Sequence, residues 1–187
     1  MPEMFFRNAT LSDVPALSAL VELTYRSESS RESWTTEADL FTGTRTNEAE
    51  IAKLVSSPRS AVLVGELDGR VVACCHLADR DDHTYVGMFA VDPSLQARGV
   101  GRQVLSEAER VAVQDWDARE MRMTVITTRT ALLDWYVRRG YTMTDDVHPM
   151  PAEHAASARP GIELSLVTLT KHIAVAECDT GDLPASK

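Results

Sequence analysis

The sequence predicts an α+β (mixed α/β) domain of about seven strands and about four helices, in the order β–α–α–β–β–β–α–β–α–β–β. Three observations carry this reading. Two β-rich runs meet at Asp68-Gly69, a pair suited to a type I′ hairpin turn with positive φ at both residues. Residues 85–112 change from an apolar strand to an amphipathic helix across a glycine loop. Residues 120–127 alternate Met121, Met123 and Val125 with Arg122 and Thr124, the period of a half-buried strand. A chain of 187 residues suits one domain, expected here over residues 1–173 with a C-terminal tail over 174–187.

Along the chain, residues 4–8 make a short first strand. Ser12 is read as the cap of the first helix, with Pro15 in its first turn, where a missing N–H costs nothing. Val14, Leu17, Leu20, Val21 and Thr24 recur at helical spacing on one face. Residues 25–46 are polar and irregular, with Trp34 and Phe41 among them. Asn47 caps a second helix through residue 55, and Pro58 ends that segment. Strands at 61–66 and 70–77 form the hairpin, and a third runs over 84–91 until Pro93 stops it. A helix over 101–115 carries the stripe Val104, Leu105, Ala108, Val111 and Ala112. The strand 120–127 and a helix over 131–139 follow. Arg138 and Arg139 complement the dipole of that helix, and Gly140 suits its C′ position. A short strand at 141–144, a long loop to 161 and a last strand at 162–170 complete the domain. In that last strand Ile162, Leu164 and Leu166 are expected to face inward.

Composition narrows the function. Hydrophobic residues at 44% and charged residues at 25% exclude a disordered or collagen-like chain. A net charge of −9 disfavours non-specific nucleic-acid binding, so no nucleic-acid partner is expected. No run approaches the ~20 apolar residues of a membrane span, and the N-terminus lacks a basic start with an apolar run. The expected location is cytoplasmic, with no membrane partner. Cys74, Cys75 and Cys178 are an odd set without a CxxC pair, which argues against disulfides and zinc. Cys74 and Cys75, being adjacent, point to opposite faces of a strand. Asp79, Asp81 and Asp82 read as solvated hairpin charges, so no metal is expected.

The segment with chemistry is 85–112. A strand, a glycine loop and a helix start together aim unpaired N–H groups and a positive dipole end at an anion. Gly99 and Gly101 let a phosphate approach the main chain, and Arg98 and Arg102 add charge. A GxGxxG fingerprint fails because Val104 stands at the third glycine, and no Gly-Lys exists for a Walker loop. Taken alone, the glycine pair equally suits a plain strand-to-helix turn.

Gln96-Ala97-Arg98-Gly99-Val100-Gly101 matches the (Q/R)-x-x-G-x-(G/A) motif of the GNAT superfamily of acyl-CoA N-acyltransferases. Leu133-Asp134-Trp135-Tyr136-Val137-Arg138-Arg139-Gly140-Tyr141 resembles that family's late helix. The resemblance spans about 5–171 and is specific over 85–141. It implies a GNAT-like mixed, mostly antiparallel sheet whose fourth and fifth strands splay apart. It implies acetyl-CoA as cosubstrate, with pyrophosphate on Gln96, Ala97, Arg98, Gly99, Val100, Gly101 and Arg102, and pantetheine along Phe89, Ala90 and Val91. Many members carry an Asn that contacts pantetheine where this chain has Arg129, which departs from the pattern and can reach either the cofactor or the substrate.

The implied activity is N-acetyl transfer to a primary amine by direct attack, with Tyr136 as general acid toward the leaving thiolate. Tyr136 equally suits a packed aromatic on a helix face. The fourth strand has no acid to serve as base. His76 has a suitable ordinary pKa, yet an imidazole at such a position is more commonly structural. The resemblance puts the acceptor near Glu22, Tyr25, Trp34, Glu37, Asp145, Asp146 and His148, with His76 on the same side. These acids and the net charge favour a small cationic amine. The alternatives are a non-catalytic acyl-CoA-binding regulatory module, or transfer to protein N-termini or lysines. A monomer or homodimer is expected.

Overall fold

The Asp68-Gly69 turn forms as expected, with φ of +51° and +73°. It joins β2 (Ser60–Leu67) to β3 (Arg70–Asp79) as an antiparallel pair. The computed structural model describes residues 4–26 and 37–173. Trp34, Cys178 and the tail 174–187 lie outside the described residues. The other strands are β1 (Phe5–Asn8), β4 (Thr84–Val91), β5 (Glu120–Ile126), β6 (Thr142–Pro149) and β7 (Ser165–His172). They form one sheet in the order β1-β2-β3-β4-β5-β7-β6. Every pairing is antiparallel except β4 with β5.

Helices α1 (Val14–Arg26) and α2 (Glu48–Ser56) cover one face of this mixed sheet. Leu17, Val21 and Ile51 pack there on Val62, Val64, Cys74 and Ala90. Helices α3 (Val100–Trp116) and α4 (Thr130–Val137) belong to the other face, where Val104, Ala108 and Leu133 join Leu63, Cys75, Met121 and Leu169. Each fully buried Val, Leu, Ile or Met among them contributes about 1.5–3 kcal/mol. The adjacent cysteines therefore do point to opposite faces. Burial pushes both thiols up, Cys74 to about 12, which leaves them protonated core residues.

Four local expectations change. The cap before α1 is Thr10 rather than Ser12, because a 3-10 turn over Leu11–Asp13 precedes the helix. Asp13 accepts the Thr10 N–H at 2.7 Å and pairs with Arg7, which holds its carboxyl well below the usual range. β6 runs on to Pro149 through a bulge between Met143 and Val147. A four-residue helix, α5 (Ala152–Ala155), interrupts the long loop. In β7 the expected inner face is only half the account. Val167 and Leu169 face the α3/α4 core, while Leu164 and Leu166 pack with Phe41 on the other side.

The loop after α1 and the loop before β7 are tied together. Phe41 forms a bridge with Ala158, Thr42 N–H donates to the Ser157 carbonyl at 2.7 Å, and Arg159 donates to the Ala38 carbonyl at 3.0 Å.

Candidate active site

β4 and β5 pair only at Thr84–Met121 and Tyr85–Arg122, then separate. Each keeps its other neighbour, so the opening lies in the middle of the sheet. A bulge in β4 lies beside it. The register shift sets Met88 and Phe89 against the single residue Cys75, and Met88 takes φ +44°. The Tyr85 hydroxyl lies 3.2 Å from the Thr124 hydroxyl across the closed end.

A groove of about 570 Å³ lies at the start of α3. Asp92 accepts the Ser94 N–H and sets a 3-10 turn over Pro93–Leu95. Ala97 and Gly99 then take φ of +61° and +82°, which brings the chain into the helix with Gly99 as its N-cap. Of the expected cofactor residues, Val91, Gln96, Ala97, Arg98, Gly99, Gly101 and Arg102 line the groove. The Val100 side chain is buried in the core, and that of Ala90 packs against the α1 side, so only their main chains are candidates. A Cβ on Gly101 would sit 3.2 Å from Trp135 Cζ2, so glycine is what lets this helix start meet the indole.

Arg139 was not expected here. Its guanidinium lies 3.5 Å over the Trp135 ring and donates to the Trp135 carbonyl at 2.6 Å. Its Nε is buried without a hydrogen-bond partner, and burial beside Arg138 and Arg102 lowers its pKa. The i, i+4 spacing of Trp135 and Arg139 was a legible signal, but the dipole argument had absorbed the arginine. Together Arg98, Arg102 and Arg139 line a cationic groove suited to a polyanion.

A second cavity, of about 200 Å³, occupies the opening itself. Tyr25, Phe89, Arg129 and Tyr136 line it. Tyr136 is buried, with its ring edge-on to Trp135 at 4.9 Å and near Tyr141 at 5.7 Å. Among the described residues none hydrogen-bonds its hydroxyl. Burial, reinforced by Tyr25, pushes its pKa up, so the phenol keeps its proton at any ordinary pH. The Tyr25 hydroxyl donates to the Phe89 carbonyl at 2.7 Å and fixes the bulge from the α1 side.

The other expected acceptor-side residues do not collect here. His76 is buried on the α1/α2 side, with Nε2 2.9 Å from Ser60 Oγ, and is not among the cavity's lining residues. Burial, with Arg80 nearby, lowers its pKa to about 4. His148, Asp145 and Asp146 sit on the edge strand β6, where Asp146 accepts the Thr168 hydroxyl. Glu22 is taken up by the N–H groups of Arg45 and Thr46. Glu37 does line the cavity, but within 4 Å of the guanidiniums of Arg26, Arg45 and Arg129. Among the described lining residues Glu37 is the one carboxylate, and it is already paired with arginines. Sequence reasoning missed this cluster because its members lie far apart in the chain.

His76 carries a stability prediction. Its folded pKa lies below the unfolded value of 6.5, so the unfolded chain binds more protons between these values. Stability from this group is present above pH 6.5 and is lost as pH falls toward 4, by at most about 3 kcal/mol. Melting curves of wild type and His76→Gln between pH 4 and 8 are expected to show a shallower acid decline in the variant.

Among the described residues no three His, Cys, Asp or Glu side chains are placed to share a metal, and no helix is long and apolar enough to cross a membrane. Comparison with curated proteins finds no match. Among solved structures, an N-acetyltransferase from Staphylococcus aureus Mu50 superposes with a TM-score of 0.71 at 10% identity, over 91% of this chain and 98% of that one. A GNAT-family acetyltransferase from Streptococcus pneumoniae gives 0.66 at 19% identity, over 91% and 100%. A GNAT-family acetyltransferase from Elizabethkingia anophelis, with acetyl-CoA bound, gives 0.60 at 16% identity, over 90% and 97%. These likenesses establish a shared fold. The acetyltransferase (GNAT) family model matches residues 21–141, from the last turns of α1 through the glycine loop to Tyr141. The match covers more than half of the chain, and the protein belongs to the GNAT acetyltransferase family.

Proposed function

We propose that the protein is an acetyl-CoA-dependent N-acetyltransferase acting on a primary amine by direct attack. The observation that carries this reading is the opening between β4 and β5, with the buried Tyr136 on its wall and a cationic helix-start groove beside it. Bound acetyl-CoA supplies a thioester activated toward amines. The α3 amides with Arg98, Arg102 and Arg139 would hold its phosphates, and the β4 main chain around the bulge would orient its pantetheine arm. Tyr136 Oη holds a proton for the departing sulfur and, being pinned by its aromatic neighbours, needs no reorganisation to deliver it. Glu37 is hydrogen-bonded by Arg26 and Arg129, and His76 packs away from the cavity beside Ser60. The neutral fraction of the amine then suffices, with water taking the proton. We extend the reading to one domain over residues 1–173 that works in the cytoplasm.

Thiol release from acetyl-CoA across a panel of primary amines tests the activity. Calorimetric binding without release from any amine would leave a binding module instead. Arg139→Met is expected to weaken acetyl-CoA binding about tenfold and to reduce its salt dependence, since one charged phosphate contact is lost.

A further inference from the structure

We propose that the acceptor is a small primary amine carrying an oxyanion, a carboxylate or phosphonate, together with an apolar side group. The inference rests on the transferase reading above and names the substrate class of the same site.

Arg45 is its starting point. The side chain lines the cavity and is two-thirds buried. Its guanidinium lies 5.4 Å over the Tyr25 ring, and Nε approaches Glu37 only to 3.7 Å, outside hydrogen-bonding range. Among the described residues none accepts a hydrogen bond from it. A guanidinium offers five N–H donors in a planar fork that matches an oxyanion. Here that fork lies over an aromatic face and, among the described residues, has no hydrogen-bond acceptor, at the wall of the cavity. Tyr25 links it to the reacting region, because its hydroxyl is bound to the Phe89 carbonyl.

The charge balance of the cavity agrees. Among the described lining residues, one carboxylate faces three guanidiniums. Arg26 and Arg129 donate to Glu37 at 3.1 and 3.3 Å, which takes up the one acid among the described lining residues. Charges this buried are costly unless compensated, and an incoming anion supplies compensation that an incoming cation would worsen. The chain's net charge of −9 is thus reversed locally. Phe41, Ile126, Met150 and Leu166 also line the cavity and suit an apolar group. A volume of about 200 Å³ is below the ~300–1,000 Å³ of drug-sized pockets, so the acceptor is small.

The test uses L-methionine, L-phenylalanine and 2-aminoethylphosphonate, the two amino acids each against its carboxamide, with putrescine as the cation. Two quantities are read on the full chain: calorimetric binding to the CoA-loaded protein, and kcat/KM with acetyl-CoA. The acids are expected to bind at least tenfold more tightly than the amides or putrescine. In Arg45→Gln that preference should collapse, and in Arg45→Lys it should be partly restored. A thermal melt of each variant checks folding, and Arg129→Gln repeats the comparison at a second guanidinium. Acid-selective binding without turnover would uphold the acceptor site while the transferase reading fails. Equal or faster acetylation of amides or putrescine would overturn the acceptor class while leaving the transferase intact. No detectable binding or turnover of any acid overturns the inference as well.

Discussion

Replacing Tyr136 by Phe is expected to lower kcat by roughly 10²–10⁴ while the acetyl-CoA Kd barely moves. The substitution isolates one atom. The ring contributes to the core through Phe89, Trp135 and Tyr141, and phenylalanine preserves those contacts. Among the described residues the hydroxyl has no partner to lose, so its removal leaves none of them unsatisfied. A stability loss would therefore not accompany the rate loss, and a thermal melt beside the steady-state assay separates the two. A wild-type kcat, measured where chemistry limits the rate, would reduce Tyr136 to packing.

Gly101→Val is expected to weaken acetyl-CoA binding by more than tenfold, or more than ~1.4 kcal/mol. Two effects add. The side chain obstructs approach to the first amides of α3, as the sequence implies. It also presses on Trp135, since the first added carbon already lies 3.2 Å from Cζ2 and 3.8 Å from a Phe89 ring carbon. Trp135 carries Arg139 on its face, so displacing the indole displaces a cationic wall of the groove. Calorimetry on variant protein shown to be folded by circular dichroism is the measurement. Gly101→Ala should give a smaller effect, because one methyl can be met by a shift of the indole. Unchanged affinity in the valine variant would mean that the phosphates bind elsewhere.

Features written in adjacent residues were legible. The Asp68-Gly69 turn, the limits of β4 and the glycine-led start of α3 each depend on a few neighbours with one strong conformational preference. Asn47 behaves likewise, its side chain accepting the Glu50 N–H. Elements without alternation were not legible. β6 is an edge strand carrying Asp145, Asp146 and His148, and exposure of both its faces erases the period that would reveal it. β7 was legible as a strand, but Val167 and Leu169 face the α3/α4 core while the apolar residues expected inward, Leu164 and Leu166, pack at its start with Phe41. His76 looked available because its pKa suits a base, and only tertiary packing shows it turned toward Ser60. The arginine cluster draws on positions 26, 45 and 129 and could not be assembled from local pattern. Glu37 looked like an attraction for cations until the hydrogen bonds from Arg26 and Arg129 were in place.

The clasp between the loops at 38–42 and 157–159 divides inheritance in this molecule. The groove at the start of α3 is made from strand and helix ends that the core also needs, so changes there are constrained twice. Part of the wall of the second cavity, including Phe41, Arg45, Met150 and Ser157, comes instead from loops held by a few hydrogen bonds. Substitutions in those loops can alter which amine fits without disturbing the sheet. One scaffold can therefore diverge toward new acceptors while its source of acetyl groups stays fixed.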